Sequence, residues 1–120
     1  MVNHHTTDIV VIGAGPVGLF TVFECGMLKL KCHVVDTLDM IGGQCSALYP
    51  EKPIYDIPAH PTISGQGLIE NLSQQIHPFK PTFHLCQQVT AVIPRQEGRF
   101  DIQTSKGTSI NAGAIIIAAG

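Results

Sequence analysis

The sequence has no apolar run that approaches the roughly 18 residues needed to span a bilayer, so no membrane partner is expected. Its 7 basic residues are spread along 120 positions, and no basic stripe marks nucleic acid as a principal partner. The first seven residues are polar and lack lysine and arginine, which argues against a signal or transit peptide and favours a cytoplasmic location. The length of 120 residues allows at most one domain, and the hydrophobic content of 44% is ordinary for a globular protein.

The sequence also has no C-x-x-C pair. The irregular spacing of the four cysteines favours reduced thiols and argues against a structural zinc site. They are Cys25, Cys32, Cys45 and Cys86. His4 and His5 fall at an end that is expected to fray, and the remaining four histidines are scattered. The sequence therefore predicts no metal site.

A glycine fingerprint follows the first apolar run, in the form Gly13-x-Gly15-x-x-Gly18. Such a motif is typical of a strand, a tight turn and a helix whose N-terminal amides face a pyrophosphate. Gly13 permits the turn, Gly15 lets the backbone approach the phosphates, and Gly18 lets the helix pack against the strand. The amides and the partial positive charge of the helix N-terminus favour an anion there. We expect this chain to bind a dinucleotide.

Asp36 ends the next apolar run, close to the spacing of about 20 residues at which such folds carry a ribose-binding acid. A carboxylate there accepts hydrogen bonds from both ribose hydroxyls and repels a 2′-phosphate, which favours FAD or NAD over NADP at this site. The alternative is a strand-end aspartate that faces water.

The first part of the chain predicts a βαβ unit with strands at 9–12 and 31–36 and a helix at 17–30. That helix is apolar on most sides, which predicts enclosure in a larger body, and Gly26 inside it predicts close packing. A second helix is predicted at 63–76, with Ser64 as its N-cap. A small antiparallel meander is predicted from strands at 82–86, 89–93, 99–104 and 108–110, with a hairpin turn at 105–107. The last run, 112–119, predicts a buried parallel strand.

The surroundings of the fingerprint are more specific than the fingerprint itself. The order of motifs resembles the FAD domain of two-dinucleotide-binding flavoproteins: the three glycines, Asp36, Gly42-Gly43-Gln44, a meander and Ala118-Ala119-Gly120. Residues 42–58, Gly-Gly-Gln-Cys-Ser-Ala-Leu-Tyr-Pro-Glu-Lys-Pro-Ile-Tyr-Asp-Ile-Pro, are similar to ferredoxin–NADP reductases of the thioredoxin-reductase-like type. The expected fold class is α/β: a Rossmann-like FAD-binding domain with a parallel sheet, a small antiparallel meander, and an incomplete domain over 1–120.

The resemblance implies a role for several residues. Gly13, Gly15 and Gly18 are expected to cradle the FAD pyrophosphate, and Asp36 to hold the adenosine ribose. No side chain is expected to act as a catalytic acid or base.

Three further cofactor contacts are implied by the resemblance. Gln44 offers an amide donor and an acceptor to the isoalloxazine edge, Tyr49 would stack on the flavin face, and Val89 would present its main chain to the adenine. The alternatives are that Gly42-Gly43 is only a turn, that Gln44 is a solvated loop residue and that Tyr49 caps the core.

The implied activity is electron transfer between NADP(H) and ferredoxin or a flavodoxin-like carrier, in a protein expected to be a homodimer. Cys45 is followed by Ser, Ala, Leu and Tyr, so this segment cannot form the redox disulfide of glutathione-reductase-like enzymes. Family members continue into an NADP domain and a closing FAD segment, neither of which is in this sequence, so an N-terminal portion is expected, inactive in isolation. A thioredoxin-reductase-like disulfide reductase and a dinucleotide-binding fragment without catalysis remain alternatives.

Overall fold

A computed structural model describes residues 3–120. The strands are β1 (His4–Ile12), β2 (Cys32–Val35), β3 (Pro53–Ile54), β4 (Ile63–Ser64), β5 (Thr82–His84), β6 (Val89–Pro94), β7 (Phe100–Thr104) and β8 (Ser109–Ile117). The helices are α1 (Pro16–Met27), α2 (Gln44–Ala47) and α3 (Gly65–Ile76). No helix within the described residues is long and apolar enough to cross a membrane.

The main sheet has six strands in the order β5-β2-β1-β8-β7-β6. β1 pairs in parallel with both β2 and β8, and β2 pairs in parallel with β5. β1, α1 and β2 therefore form the predicted βαβ unit, because adjacent parallel strands need a crossover connection. The predicted α/β class is confirmed.

The predicted meander is correct in only part of its extent. Residues 82–86 were expected to begin it, but β5 is the parallel edge strand of the sheet beside β2. The physical reason is that α3 carries the chain back across the sheet, so the strand after it runs in the same direction as β2. The antiparallel part consists of β6, β7 and the first half of β8, and the hairpin turn at 105–107 joins the last two.

The last two predicted strands are a single strand. β8 pairs with β7 through its first residues and with β1 along its whole length. Ile110, Ala112 and Ile115 all pack in one cluster, although Ala112 and Ile115 are three positions apart and would point to opposite faces of a regular strand. The alternation of buried residues is therefore interrupted near Gly113. The prediction that this run is buried fails at its end, where Ile117 is 76% exposed, because no described element covers it.

Two hydrophobic clusters lie on opposite faces of the parallel strands. Val10 and Val11 are both fully buried, and successive strand residues point to opposite faces. Val11 packs with Leu19 of α1 and Leu72 of α3, whereas Val10 packs with residues of the antiparallel part. Each such side chain contributes about 1.5–3 kcal/mol on burial. The parallel strands are therefore packed against α1 and α3 on one face and against side chains of the antiparallel strands on the other.

The helices begin and end close to their predicted positions. α1 ends at Met27 rather than at residue 30, because Lys29 adopts a left-handed conformation. Its predicted enclosure does not hold within the described chain, since Val17 is 71% exposed. α3 begins at Gly65 rather than at residue 63, and the predicted N-cap is confirmed by a 3.0 Å bond from the Gly67 amide to Ser64 Oγ. Residues 63 and 64 instead form β4, which pairs with β3.

Two local predictions near the helix and the N-terminus have opposite outcomes. The close packing predicted at Gly26 is confirmed, since a Cβ there would lie 2.3 Å from the Phe79 ring. The fraying predicted for His4 and His5 is wrong, because both residues lie in β1 and pair with β8. Only Met1 and Val2 lie outside the described residues.

Candidate dinucleotide-binding site

The turn from β1 into α1 requires glycine at its first position. Gly13 has φ +114°, and a Cβ on it would lie 2.1 Å from the carbonyl oxygen of Ala118. Its amide donates a 2.8 Å hydrogen bond to the Val35 carbonyl at the end of β2. Because φ in this region favours glycine and the space is already filled, the turn is fixed against the ends of both neighbouring strands.

Gly15 is different, because nothing among the described residues requires a glycine there. Its φ of −75° is open to any residue, and the nearest atom to a Cβ would be the Gly43 Cα at 3.9 Å, an ordinary contact. The missing side chain leaves free space above the first turn of α1. A ligand that approaches the backbone closely is a physical reason to keep that space open.

Gly18 holds the helix against the turn and does not line the groove. A Cβ on this residue would lie 1.9 Å from the carbonyl oxygen of Gly13. The first turn of α1 has Pro16 at its start, and the amides of Val17 and Gly18 have no acceptor among residues 3–120. Those amides are the donors that a helix N-terminus offers to an anion.

A second glycine loop packs directly on the first. The amide of Gly42 donates a 2.7 Å hydrogen bond to the Ala14 carbonyl. A Cβ on Gly43 would lie 3.0 Å from the Gly15 Cα. Gly42-Gly43 is therefore more than a turn, since the two loops meet backbone to backbone and any side chain at Gly43 would separate them.

Asp36 joins the end of β2 to the glycine turn. Its Oδ2 accepts a 2.6 Å hydrogen bond from the Ala14 amide, and its Oδ1 accepts a 2.9 Å bond from the Leu38 amide. The sequence did not predict either contact. A carboxylate has about four acceptor positions, so the half-buried Asp36 keeps capacity for further donors.

Two adjoining cavities lie at the carboxyl ends of the parallel strands. The larger has a volume of about 570 Å³ and is lined by Gly13, Gly15, Asp36 and Gln44, among others. The smaller, of about 250 Å³, shares Gly13 and Asp36 with it and adds Val89. The carboxyl ends of the strands are where open α/β sheets bind their ligands. Five of the seven predicted site residues thus line one continuous groove.

The other two predicted residues lie outside the groove. Gly18 is buried beneath the turn, as described above. Tyr49 does not line either cavity, and its side chain is 41% exposed with the Lys52 Nζ 4.9 Å from the ring centroid. Its exposure argues against the alternative that the ring caps the core. Cys45, one residue after Gln44, is a partly buried side chain packed against the helical cluster.

Comparison with known proteins adds a sequence relationship to this geometry. No protein-family model matches the chain. It is 58% identical over 114 residues to the "Ferredoxin--NADP reductase" of Wolbachia sp. subsp. Brugia malayi, a match that covers 95% of this chain and 34% of that protein. The resemblance to ferredoxin–NADP reductases is confirmed. The protein of that name from Leptothrix cholodnii is 60% identical over 114 residues, covering 95% of this chain and 31% of its own length.

The chain spans about a third of the length of the curated relatives it matches. Among solved structures, the thioredoxin reductase of T. acidophilum superposes with a TM-score of 0.81 at 19% identity, over 97% of this chain and 36% of that one. At that identity the likeness shows the fold alone. It is the fold that the glycine fingerprint and the ferredoxin–NADP reductase resemblance predicted.

Proposed function

We propose that this chain forms the FAD-binding part of a flavoprotein oxidoreductase that transfers electrons between NADPH and ferredoxin. The observation that carries the proposal is Gly15: the fold leaves room for a side chain there, and the sequence provides none. It lines the same cavity as an acid held at the tip of the next strand and precedes two helix amides that have no acceptor among residues 3–120. The identity of 58–60% to proteins named ferredoxin–NADP reductase supports the assignment of the cofactor and the reaction.

The residues of the groove fit a dinucleotide. The free amides at the start of α1 would donate to the pyrophosphate, since the helix N-terminus carries a partial positive charge. Gly13 and Gly15 would let the phosphates approach the backbone, while Gly18 supports the turn from below. Asp36 would accept from the ribose hydroxyls through the acceptor positions that Ala14 and Leu38 leave free.

The flavin contacts follow from the same groove. Gln44 lines the larger cavity, where its side-chain amide would meet the isoalloxazine edge, and Val89 lines the smaller one, where its main chain would meet the adenine. Tyr49 would reach the flavin face only after its ring leaves the contact with Lys52. Bound FAD supplies the exchange between a hydride donor and a one-electron carrier, and the protein positions it.

The remaining expectations belong to the same proposal. NADP(H) would be the co-substrate and ferredoxin or a flavodoxin-like protein the carrier, in a cytoplasmic homodimer. Residues 1–120 would form one portion of an FAD-binding domain, with the NADP domain and the closing FAD segment contributed by other sequence. A disulfide reductase is less well supported, because the thioredoxin reductase neighbour shares the fold at only 19% identity, whereas the relatives named ferredoxin–NADP reductase are 58–60% identical.

The test is to titrate the chain with FAD, and separately with ADP, while following flavin fluorescence or heat. We expect saturable binding of both, because the pyrophosphate and ribose contacts lie within the described residues. A Gly15→Ala variant should weaken this binding and keep its unfolding transition, since the added Cβ makes only an ordinary contact within the protein and occupies space in the groove. The proposal would be overturned if the Gly15 variant bound FAD and ADP as tightly as the unmodified chain, or if the unmodified chain bound neither ligand.

A further inference from the structure

Three histidine rings from three neighbouring strands meet in one cluster. His5 lies on β1, His33 on β2 and His84 on β5. The ring of His5 lies 5.2 Å from that of His33 and 4.9 Å from that of His84, centroid to centroid. The His33 Nδ1 and the His84 Nε2 are 2.9 Å apart. One ring nitrogen from each histidine can be chosen so that all three lie within 4.8 Å of one another.

The strand register explains why the rings share a face. His84 is paired with Val35, and His33 lies two residues before Val35, so both histidines point to the face that Val35 buries. His5 is paired with Ile110, which packs in the same cluster as Val35. The three histidines are far apart in the sequence, so their spacing does not predict that they meet. None of them lines the proposed dinucleotide groove.

The cluster is partly shielded from solvent, since His33 is half-buried and His84 is buried. Burial, followed by the neighbouring His84 and His5, lowers the pKa of His33 to about 4. Burial and His5 also lower the pKa of His84. Neutral imidazole is the form in which histidine ligates a metal. Among residues 3–120, the only side-chain hydrogen bond made by the three rings is the one between His33 and His84.

We propose that His5, His33 and His84 bind a borderline divalent transition-metal ion such as zinc. Imidazole ligands suit zinc, copper and nickel. Two imidazole nitrogens on a tetrahedral zinc ion lie about 3.3 Å apart, given zinc–nitrogen distances of 2.0–2.1 Å. The 2.9 Å pair would open slightly and the widest pair, at 4.8 Å or less, would close, which needs ring rotation rather than strand movement. Water would complete the coordination.

The ion would act as a tie across the sheet. β5 has three residues and, among the described strands, pairs only with β2, so it is the least secured strand of the parallel part. A metal bound by His84 would join it to β2 and β1 at once. Because the site exists only in the folded chain, binding would raise the free energy of unfolding as the metal concentration rises.

The experiment uses the full chain, freed of metal with a chelator and then titrated with Zn²⁺ against a chromophoric competitor. We expect one ion per chain, and a visible absorption of tetrahedral type when Co²⁺ replaces Zn²⁺. His5→Gln and His33→Gln should each weaken zinc binding at least about tenfold, the loss seen even for changes to groups that support metal ligands. His4→Gln is the matched control, because His4 is the exposed neighbour of His5 on the same strand.

The decisive comparison is between His5→Gln and His4→Gln. His5 is only half-buried at the start of the strand, so its variant should fold even if a change at the buried His84 does not. Thermal unfolding with and without zinc adds a second readout: zinc should raise the midpoint in the unmodified chain and in His4→Gln but not in His5→Gln. The proposed site would be overturned by equal zinc affinity in His4→Gln and His5→Gln. It would also be overturned if the number of zinc ions bound per chain differed from one.

Discussion

The carboxylate of Asp36 accepts a 2.6 Å hydrogen bond from the backbone amide of Ala14, the residue between the first two glycines of the fingerprint. The two residues belong to neighbouring strand ends that are 22 positions apart in sequence. The contact means that the acid has two tasks: it fixes the shape of the glycine turn, and it faces the groove beside that turn. A change at Asp36 should therefore affect both stability and ligand binding.

Asp36→Asn should weaken FAD binding by roughly 1–3 kcal/mol, because hydrogen bonds to a charged acceptor are lost. Its free energy of unfolding should fall by about 1 kcal/mol, because the amide side chain can accept through only one of its two terminal atoms. Ligand titration and urea unfolding measure the two effects. Asp39→Asn, at an exposed acid in the following loop, is the control. Unchanged FAD affinity in Asp36→Asn would mean that Asp36 does not touch the ribose.

Gly13→Ala should destabilise the fold by at least about 3 kcal/mol, because the new methyl group meets a backbone carbonyl and the conformation is strained. Gly107→Ala is a matched comparison, since Gly107 also has a positive φ of +79° but has nothing within 4 Å of an added Cβ. It should cost about 1 kcal/mol from backbone strain alone. Denaturant unfolding of both variants separates the two contributions. If the two variants lose similar amounts of unfolding free energy, the backbone at Ala118 moves to accommodate the added methyl group.

The stability of the protein should fall in alkali because of Cys32. Burial, with smaller contributions from Cys25 and Asp8, raises the pKa of this thiol from 9.0 to about 12. The unfolded chain releases this proton first as pH rises above 9, so the stability is intact below pH 9 and declines toward pH 12. The slope should approach about 1.4 kcal/mol per pH unit from this group.

The alkaline slope can be assigned by substitution. Urea unfolding at pH values from about 8 to about 10.5 should show a shallower decline for Cys32→Ala than for the unmodified chain. Cys86→Ala should keep the original slope, because Cys86 is exposed. If Cys32→Ala declines as steeply as the unmodified chain, another group causes the loss.

Arg99→Ala should lower the free energy of unfolding by about 1.5–3 kcal/mol, the range for hydrogen bonds that involve a charged group. Its Nη2 donates a 2.9 Å bond to the Thr7 carbonyl and its Nε donates to the Asn111 side chain, so it ties the segment just before β7 to β1 and β8. Arg95→Ala should cost less than about 1 kcal/mol, because Arg95 is exposed where it pairs with Asp101. Thermal or urea unfolding of both variants measures the difference, and equal losses would contradict this assignment.

The sequence predicted those features whose causes are local. The glycine turn, the Ser64 cap and the hairpin at 105–107 each depend on a few adjacent residues, and all three are present. The direction of β5 was not predictable, because a strand of three residues carries no mark of parallel or antiparallel pairing. The direction of β5 depends on the path of the chain through α3, which returns it to the edge of the sheet parallel to β2.

Long-range contacts account for the rest of what was missed. The bond from Ala14 to Asp36 and the meeting of His5, His33 and His84 depend on strand order and register, which no short window of residues contains. The position of Tyr49 outside the groove depends on how the loop after α2 packs on α3, where a Cβ on Gly65 would lie 2.4 Å from the Tyr49 carbonyl.

The pairing of β1 with β8 sets the order in which this protein can assemble. The two strands lie side by side over eight residue pairs, although their paired residues are more than a hundred positions apart. During synthesis, the first strand must wait until the residues of β8, Ser109–Ile117, have left the ribosome before its second edge is covered. Non-local pairing of this kind slows folding and leaves apolar edges open in the meantime. A nascent chain stalled before β8 would thus be a target for chaperones, with Val10 and Val11 on a strand paired on one side only.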